Sequence, residues 1–190
     1  MTNLRFQCQY AKAMGLEVLA IDSSKEKRDL CVNELAVASF IDFAATKDLV
    51  ADVKAAAGGL GPHAAIIVAG RLPTPSVIQK KHHLLTYPID NEKCFAQATE
   101  YVRPRGTVVC VSLPRGARAS VDVFSMVTKM INICGSYVGS RADTQEALDF
   151  FKRGKVGVPF QIRELKDLPQ VYKDLEEMKI VGRVVLKIPD

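Results

Sequence analysis

From Glu17 to Val138 the chain alternates short apolar runs with amphipathic ones, and this alternation restricts its fold more than any motif in it. "EVLAID" (Glu17–Asp22) is an apolar run closed by an acid and predicts a strand. "SSKEKRDLCVNELA" follows with Leu30, Cys31, Glu34 and Leu35 at helical spacing behind a serine cap. "VASFIDF" predicts a second strand. "TKDLVADVKAAAG" predicts a helix with Leu49, Val50, Val53 and Ala57 on one face, ended by Gly58 and Gly59. The strand "HAAIIVA", the helix "NEKCFAQATEYV", the strand "GTVVCVSLP", the helix "SVDVFSMVTKM" and the strand "INICGSYV" continue the pattern. A capped helix, "RADTQEALDFFKRG", then leads to "PFQIREL", the helix "LPQVYKDLEEMK" and a last strand, "GRVVLKI". The strands are continuously apolar rather than alternating, as in sheets covered by helices on both faces. Short connections and one-way alternation predict a parallel, doubly wound α/β sheet. Such sheets bind ligands at the C-terminal ends of their strands.

The 190 residues suffice for one domain with a real core. A net charge of +5 raises the question of nucleic acid. The positives are spread, however, and alternate with acids in "SSKEKRD" and "KDLEEMK", as on solvated helix faces, so no nucleic-acid partner is expected. No apolar run reaches the length of a membrane span, and "MTNLRFQCQYAKAMG" has no secretory pattern, so a cytoplasmic location is the expectation. Cys8, Cys31, Cys94, Cys110 and Cys134 are odd in number and widely spaced. They signal neither a disulfide framework nor a zinc knuckle. Cys110 and Cys134 are expected as small buried hydrophobes on strands.

Gly59-Leu60-Gly61-Pro62-His63-Ala64 matches the G-x-G-x-x-A pattern of a dinucleotide-binding turn. Such a turn needs a strand before it and a helix after it, so that the helix N-terminus meets the pyrophosphate. Here a helix precedes and a strand follows, and Pro62 removes an N–H. The glycines therefore predict a helix end and a turn into a strand. Asp22, closing the first apolar run, suits the acid that binds an adenosine ribose roughly 20 residues after the phosphate glycines. On local evidence it suits equally the N-cap of the next helix. The glycines that would pair with Asp22 are not found in "MTNLRFQCQ".

From Gln9 onward the chain resembles the zinc-dependent alcohol dehydrogenases of the medium-chain dehydrogenase/reductase family, fungal type. The resemblance lies in "QYAKAMGLEVLAID", "FIDF", "QATEYVRPRGTVVCVSLPRGA", "DVFSMVTKMINICGSYVGSRADTQEALDFFKRG" and "LPQVYKDLEEMKIVGRVV". It implies an incomplete Rossmann-like sheet lacking its first strand and glycine turn over residues 1–158. Residues 159–190 would form a tail that in the family returns to the zinc-bearing catalytic domain. It implies NAD as cofactor. Asp22 and Lys27 would meet the adenosine ribose, Val68 and Ala69 the cofactor edge, Ser112, Leu113 and Val138 the nicotinamide side, and Arg183 the pyrophosphate. The family's zinc ligands have no counterpart here. His63, His82 and His83 stand at unrelated positions, and adjacent His82 and His83 do not readily converge on one ion. "RLPTPSVIQKKHHLLTYPID" (Arg71–Asp90) departs from the family and reads either as a lid at the cofactor edge or as a translated intron.

The resemblance implies a fragment of an NAD-linked alcohol dehydrogenase, inactive alone, with weak or no NAD binding. Two alternatives remain: an oligomerisation module acting through Ile131–Val138, with a homo- or hetero-oligomer as product, and a zinc-free quinone-reductase-like enzyme. Without its first strand the sheet would leave "EVLAID" and "HAAIIVA" with unpaired edges. Those two strands would either close up and pair or leave an aggregation-prone gap.

Overall fold

The structure is a computed structural model, and it describes residues 2–68, 91–112, 118–176, 180 and 183–189. The segment 71–90, whose role stayed open above, lies outside the described residues, as do Ala69 and Leu113. The chain divides into two compact units, residues 1–40 with 139–190 and residues 41–138.

In the first unit, α1 (Thr2–Ala13) is followed by β1 (Leu19–Asp22) and α2 (Lys25–Asp29). Ser24 caps α2 by accepting from the Lys27 N–H. The expected single helix over "SSKEKRDLCVNELA" instead changes pitch: Leu30–Glu34 is a π-helical turn. The wider turn buries Leu30 and Cys31 together. Lys12, in the last turn of α1, donates from Nζ to the carbonyls of Leu35 (2.6 Å) and Ala36 (2.8 Å) and holds the end of that turn. Cys8, Ala20, Leu30, Cys31, Leu35 and Val37 form the core here, with Val18 and Phe40 against it. Burial and the neighbouring Cys31 push the Cys8 thiol up to about 12, so it is an inert packing group. β1 pairs with β2 (Ser39–Asp42).

α6 (Arg141–Lys152) starts with a full capping box between Ser140 and Asp143, as its sequence predicts. Phe150 and Phe151 of α6 meet Phe6 and Tyr10 of α1, with ring centroids 5.7–6.4 Å apart. β6 (Phe160–Glu164), a 3₁₀ turn, α7 (Leu168–Glu176) and β7 (Arg183–Lys187) complete the unit. β6 and β7 pair in parallel, and Arg163 of β6 bonds Asp174 of α7 at 2.8 Å.

The second unit holds α3 (Leu49–Ala56), β3 (Ala64–Ile67), α4 (Asn91–Tyr101), β4 (Thr107–Cys110), α5 (Val123–Lys129) and β5 (Asn132–Gly135). Its sheet has the order β3-β4-β5 and is parallel throughout. In register, Ala65, Ile67 and Val108 share one buried face, against which α4 packs. Ile66 and Cys134 lie on the other face and are exposed. The expectation of a buried Cys134 is thus wrong: β5 is a sheet edge, and all four of its residues are exposed. Lys129 donates from Nζ to the carbonyls of Thr99 (2.8 Å) and Glu100 (3.0 Å) near the end of α4. That is the favourable placement for a cation at a helix C-terminus. Burial, with Lys54 nearby, holds its ammonium below the usual lysine range.

Among the described residues β1 pairs with β2, and β3 with β4.

The G-x-G motif is a helix end and turn, as its context predicts. Gly58, Gly59 and Gly61 all have positive φ, and the Gly59 N–H returns to the Lys54 carbonyl at 2.7 Å. Gly61 then runs beside the last turn of α4, where an added Cβ would fall on the Tyr101 carbonyl oxygen. At Gly59 an added Cβ meets nothing. Gly61→Ala is expected to cost at least about 3 kcal/mol, from strain at φ +94 plus a backbone clash. Gly59→Ala should cost only about 1 kcal/mol, the strain alone. Urea melts of the two variants check the difference, and equal costs would refute the packing role of Gly61.

Candidate functional site

The residues expected to meet a cofactor fall in both units. In the first, β1 is an apolar strand whose last residue, Asp22, emerges at its C-terminal end. The Asp22 side chain is not the helix cap, because Ser24 performs that task. Its Oδ1 accepts from the Ser23 N–H at 2.7 Å and from Lys27 Nζ at 2.5 Å. The pair remains partly open, with side-chain exposures of 22% for Asp22 and 30% for Lys27. Both contacts use Oδ1.

Arg183, the first residue of β7, is exposed, and its guanidinium lies 5.7 Å from the centroid of the Phe6 ring. This is cation–π geometry, which the sequence did not suggest.

In the second unit, Val68 and Ser112 follow the neighbouring strands β3 and β4. The N–H groups of Val111 and Ser112 both donate to the Ile67 carbonyl, at 3.0 and 3.1 Å. That bifurcated bond brings Val68 and Ser112 together at the C-terminal edge of the sheet. The Ser112 Oγ is buried without a hydrogen-bond partner among the described residues. An orphaned buried hydroxyl at this edge fits a polar ligand group, and reading Ser112 only for its backbone overlooked it. Val138 follows β5, is 82% exposed and has φ +47, so it is a turn residue beyond the strand.

Asp22 with Lys27, and Val68 with Ser112, are the two sets that the structure brings together, each inside one unit. A phosphate cradle of glycine N–H groups between a strand and a helix is not present among the described residues. Among those residues no three His, Cys, Asp or Glu side chains gather to hold a metal ion, and no helix is long and apolar enough to cross a membrane. A cleft of about 450 Å³ lined by Gln9, Lys12, Glu34, Leu35 and Lys155 contains none of the expected cofactor residues, and its lysine Lys12 is already committed to carbonyls.

An acid closing an apolar strand, parallel pairing and sheet-covering helices define a Rossmann-like α/β protein, and solved structures agree. The alcohol dehydrogenase of the archaeon Aeropyrum pernix matches with a TM-score of 0.70 at 22% identity, over 97% of this chain and 46% of that one. The chain belongs to the zinc-binding dehydrogenase family, whose model matches residues 6–153. It is 50% identical over 179 residues to alcohol dehydrogenase 1 of Neurospora crassa, covering 94% of this chain and 45% of that protein. It is 47% identical over 183 residues to alcohol dehydrogenase 1 of Emericella nidulans, covering 96% and 46%. The chain thus spans a little under half the length of the curated relatives it matches.

The Asp22–Lys27 pair is partly solvated, so its coupling should stay below about 1 kcal/mol. A double-mutant cycle with Asp22→Asn and Lys27→Met in denaturant melts, repeated in high salt, checks this. A coupling several times larger would mean that the pair holds the fold rather than waits for a ligand.

Proposed function

We propose that residues 1–190 are the cofactor-binding part of an NAD-linked, zinc-type alcohol dehydrogenase and do not oxidise alcohol on their own. In this reading residues 1–158 form the NAD-binding domain and 159–190 the tail that returns to the catalytic domain. The observation that carries it is Asp22 at the end of β1, its Oδ1 held by Lys27 and its side chain still 22% exposed. NAD, when bound, supplies the hydride acceptor. Asp22 would accept from the adenosine ribose hydroxyls, and its charge would reject a 2′-phosphate, favouring NAD over NADP. Lys27 fixes the carboxylate and keeps its charge tolerable beside the buried Cys31. Ser112 would offer its Oγ, without a partner among the described residues, to the nicotinamide side, the side to which Val68, Ala69, Leu113 and Val138 are also assigned. Arg183 would have to leave the Phe6 ring to reach a pyrophosphate. No zinc-bearing catalytic side chain is among these residues, and zinc in the family polarises the alcohol oxygen.

Calorimetric titration of the purified chain should show NAD binding no tighter than about 1 mM. Ethanol and NAD should yield no NADH with the chain alone, and measurable NADH formation would sink the reading.

A second reading is favoured by a separate observation. All four residues of β5 are exposed, and in α5, the helix that precedes it in the chain, Phe124 is 77% exposed and Val127 64%. An apolar edge of this kind suits association with another subunit through Ile131–Val138. Sedimentation should then show a dimer, or co-purification with a full-length relative, that Phe124→Lys weakens. A chain that stays monomeric at high concentration would refute it.

A further inference from the structure

Three loops lead into the N-terminal ends of β3, β4 and β5, and hydrogen bonds join them into one ledge. The Arg103 N–H donates to the Pro62 carbonyl at 3.1 Å, and the Thr107 N–H to the His63 carbonyl at 3.0 Å. The Arg105 N–H donates to the Lys129 carbonyl at 2.7 Å, and the Asn132 N–H to the Gly106 carbonyl at 2.9 Å. Basic side chains gather here. Lys54 and Lys129 come from the last turns of α3 and α5, and Arg103 and Arg105 from the central loop. Among the described residues none of the four stands in an ion pair. Glu100 is the acid that acts on Lys129, and Lys54 opposes it. The Arg103 guanidinium donates one N–H to His63 Nε2, which leaves the rest of its fork for another acceptor.

Arg103-Pro104-Arg105-Gly106 is a tight turn, closed by the Gly106 N–H on the Arg103 carbonyl at 2.9 Å. Arg105 holds its third position with φ +61, where glycine or asparagine is favoured. The Arg105 side chain is exposed, and Lys129 already caps the end of α4, so the fold does not need this guanidinium. Backbone strain kept at an exposed cation points to work done outside the chain. The outer loops add apolar groups: Leu60 before β3 is 63% exposed, and Met130 before β5 is 61% exposed.

We propose that this ledge docks an acidic peptide segment, extended across the ends of β3, β4 and β5, with two carboxylates two residues apart and apolar side chains flanking them on the same side. The sheet order places Arg103 and Arg105 in the middle, with Leu60 and Met130 to either side. Three neighbouring strands cover about 10 Å, and alternate residues of an extended chain lie about 6.6 Å apart, so the two acids fall within reach of the two arginines. A phosphate ion offers charge alone and leaves the apolar groups unused. Single-stranded nucleic acid stacks its bases on exposed aromatics, and Tyr101, the aromatic just before the turn, is buried. The ledge stands at the opposite strand ends from Val68 and Ser112, apart from the proposed cofactor edge.

The probe is acetyl-Leu-Ser-Glu-Ser-Glu-Ser-Leu-amide, titrated into the full 190-residue chain and followed by amide NMR shifts. Gly61, Arg105, Gly106 and Met130 should shift together and saturate, while Val111 and Ser112 at the other strand ends stay in place. A peptide with Gln for both Glu should give no saturating response, and one with Ser for both Leu should bind severalfold more weakly. Arg103→Gln and Arg105→Gln should each weaken binding about two- to fivefold, and high salt should weaken it further. Arg105→Gly relieves the turn. It should raise the melting temperature by about 2–4 °C and still weaken binding, a combination that a merely structural Arg105 would not give. Unchanged shifts with the acidic peptide would overturn the proposal, and so would equal binding of the Gln peptide or full binding by Arg105→Gly. Inorganic phosphate or an oligothymidylate that moves the same amides at the same concentration would also overturn it, by showing an unselective anion surface.

Discussion

A parallel strand has hydrogen-bonding groups on two sides and side chains on two faces, and each must be satisfied by something else in the fold. This demand organises the second unit. β4 meets it fully: β3 and β5 flank it, and Val108 is 1% exposed beneath α4. β3 meets half of it. Ala65 and Ile67 are buried against α4, and His63 and Ile67 bond β4, while Ala64 and Ile66 face outward. The glycine segment before β3 serves the same demand, because Gly61 lets the chain pass under the end of α4. Lys129 caps that helix from the far end of α5, so the unit closes on polar contacts as well as apolar ones.

The site residues follow from strand ends. Asp22 and Ser112 stand just where apolar strands β1 and β4 stop, so each strand's burial fixes the place of a polar side chain. What differs is how each is satisfied. Asp22 has an ion pair and a backbone donor on one oxygen. The Ser112 hydroxyl has no partner among the described residues. A carboxylate with one occupied oxygen and a hydroxyl without a partner among the described residues are the features a polar ligand would complete.

The strands, the helices and the capping serines were legible because each depends on its near neighbours. Apolar runs closed by Asp22 or followed by Ser112, the Ser140–Asp143 box and the glycine-ended helix before β3 are written within a few residues. The π-helical turn at Leu30–Glu34 was not legible, because a helix pattern and a π pattern share the same apolar spacing over so short a stretch. Cys134 was misread as buried because an apolar strand at a sheet edge has the same local sequence as one in the middle. Arg183 over Phe6, and Lys129 on the carbonyls of α4, join residues far apart in the chain, so no spacing announces them.

The sequence by itself determined the order of elements, the Rossmann-like class, the family and the rejection of Gly59–Ala64 as a phosphate turn. These rest on local pattern and on long matching stretches, which the chain carries in its order of residues. Only the tertiary structure decided which strands pair, which oxygen of Asp22 is taken, that the Ser112 hydroxyl has no partner among the described residues and that the residues of β5 are exposed. Those depend on which distant groups come within hydrogen-bonding range, and that distance is fixed by packing rather than by sequence spacing.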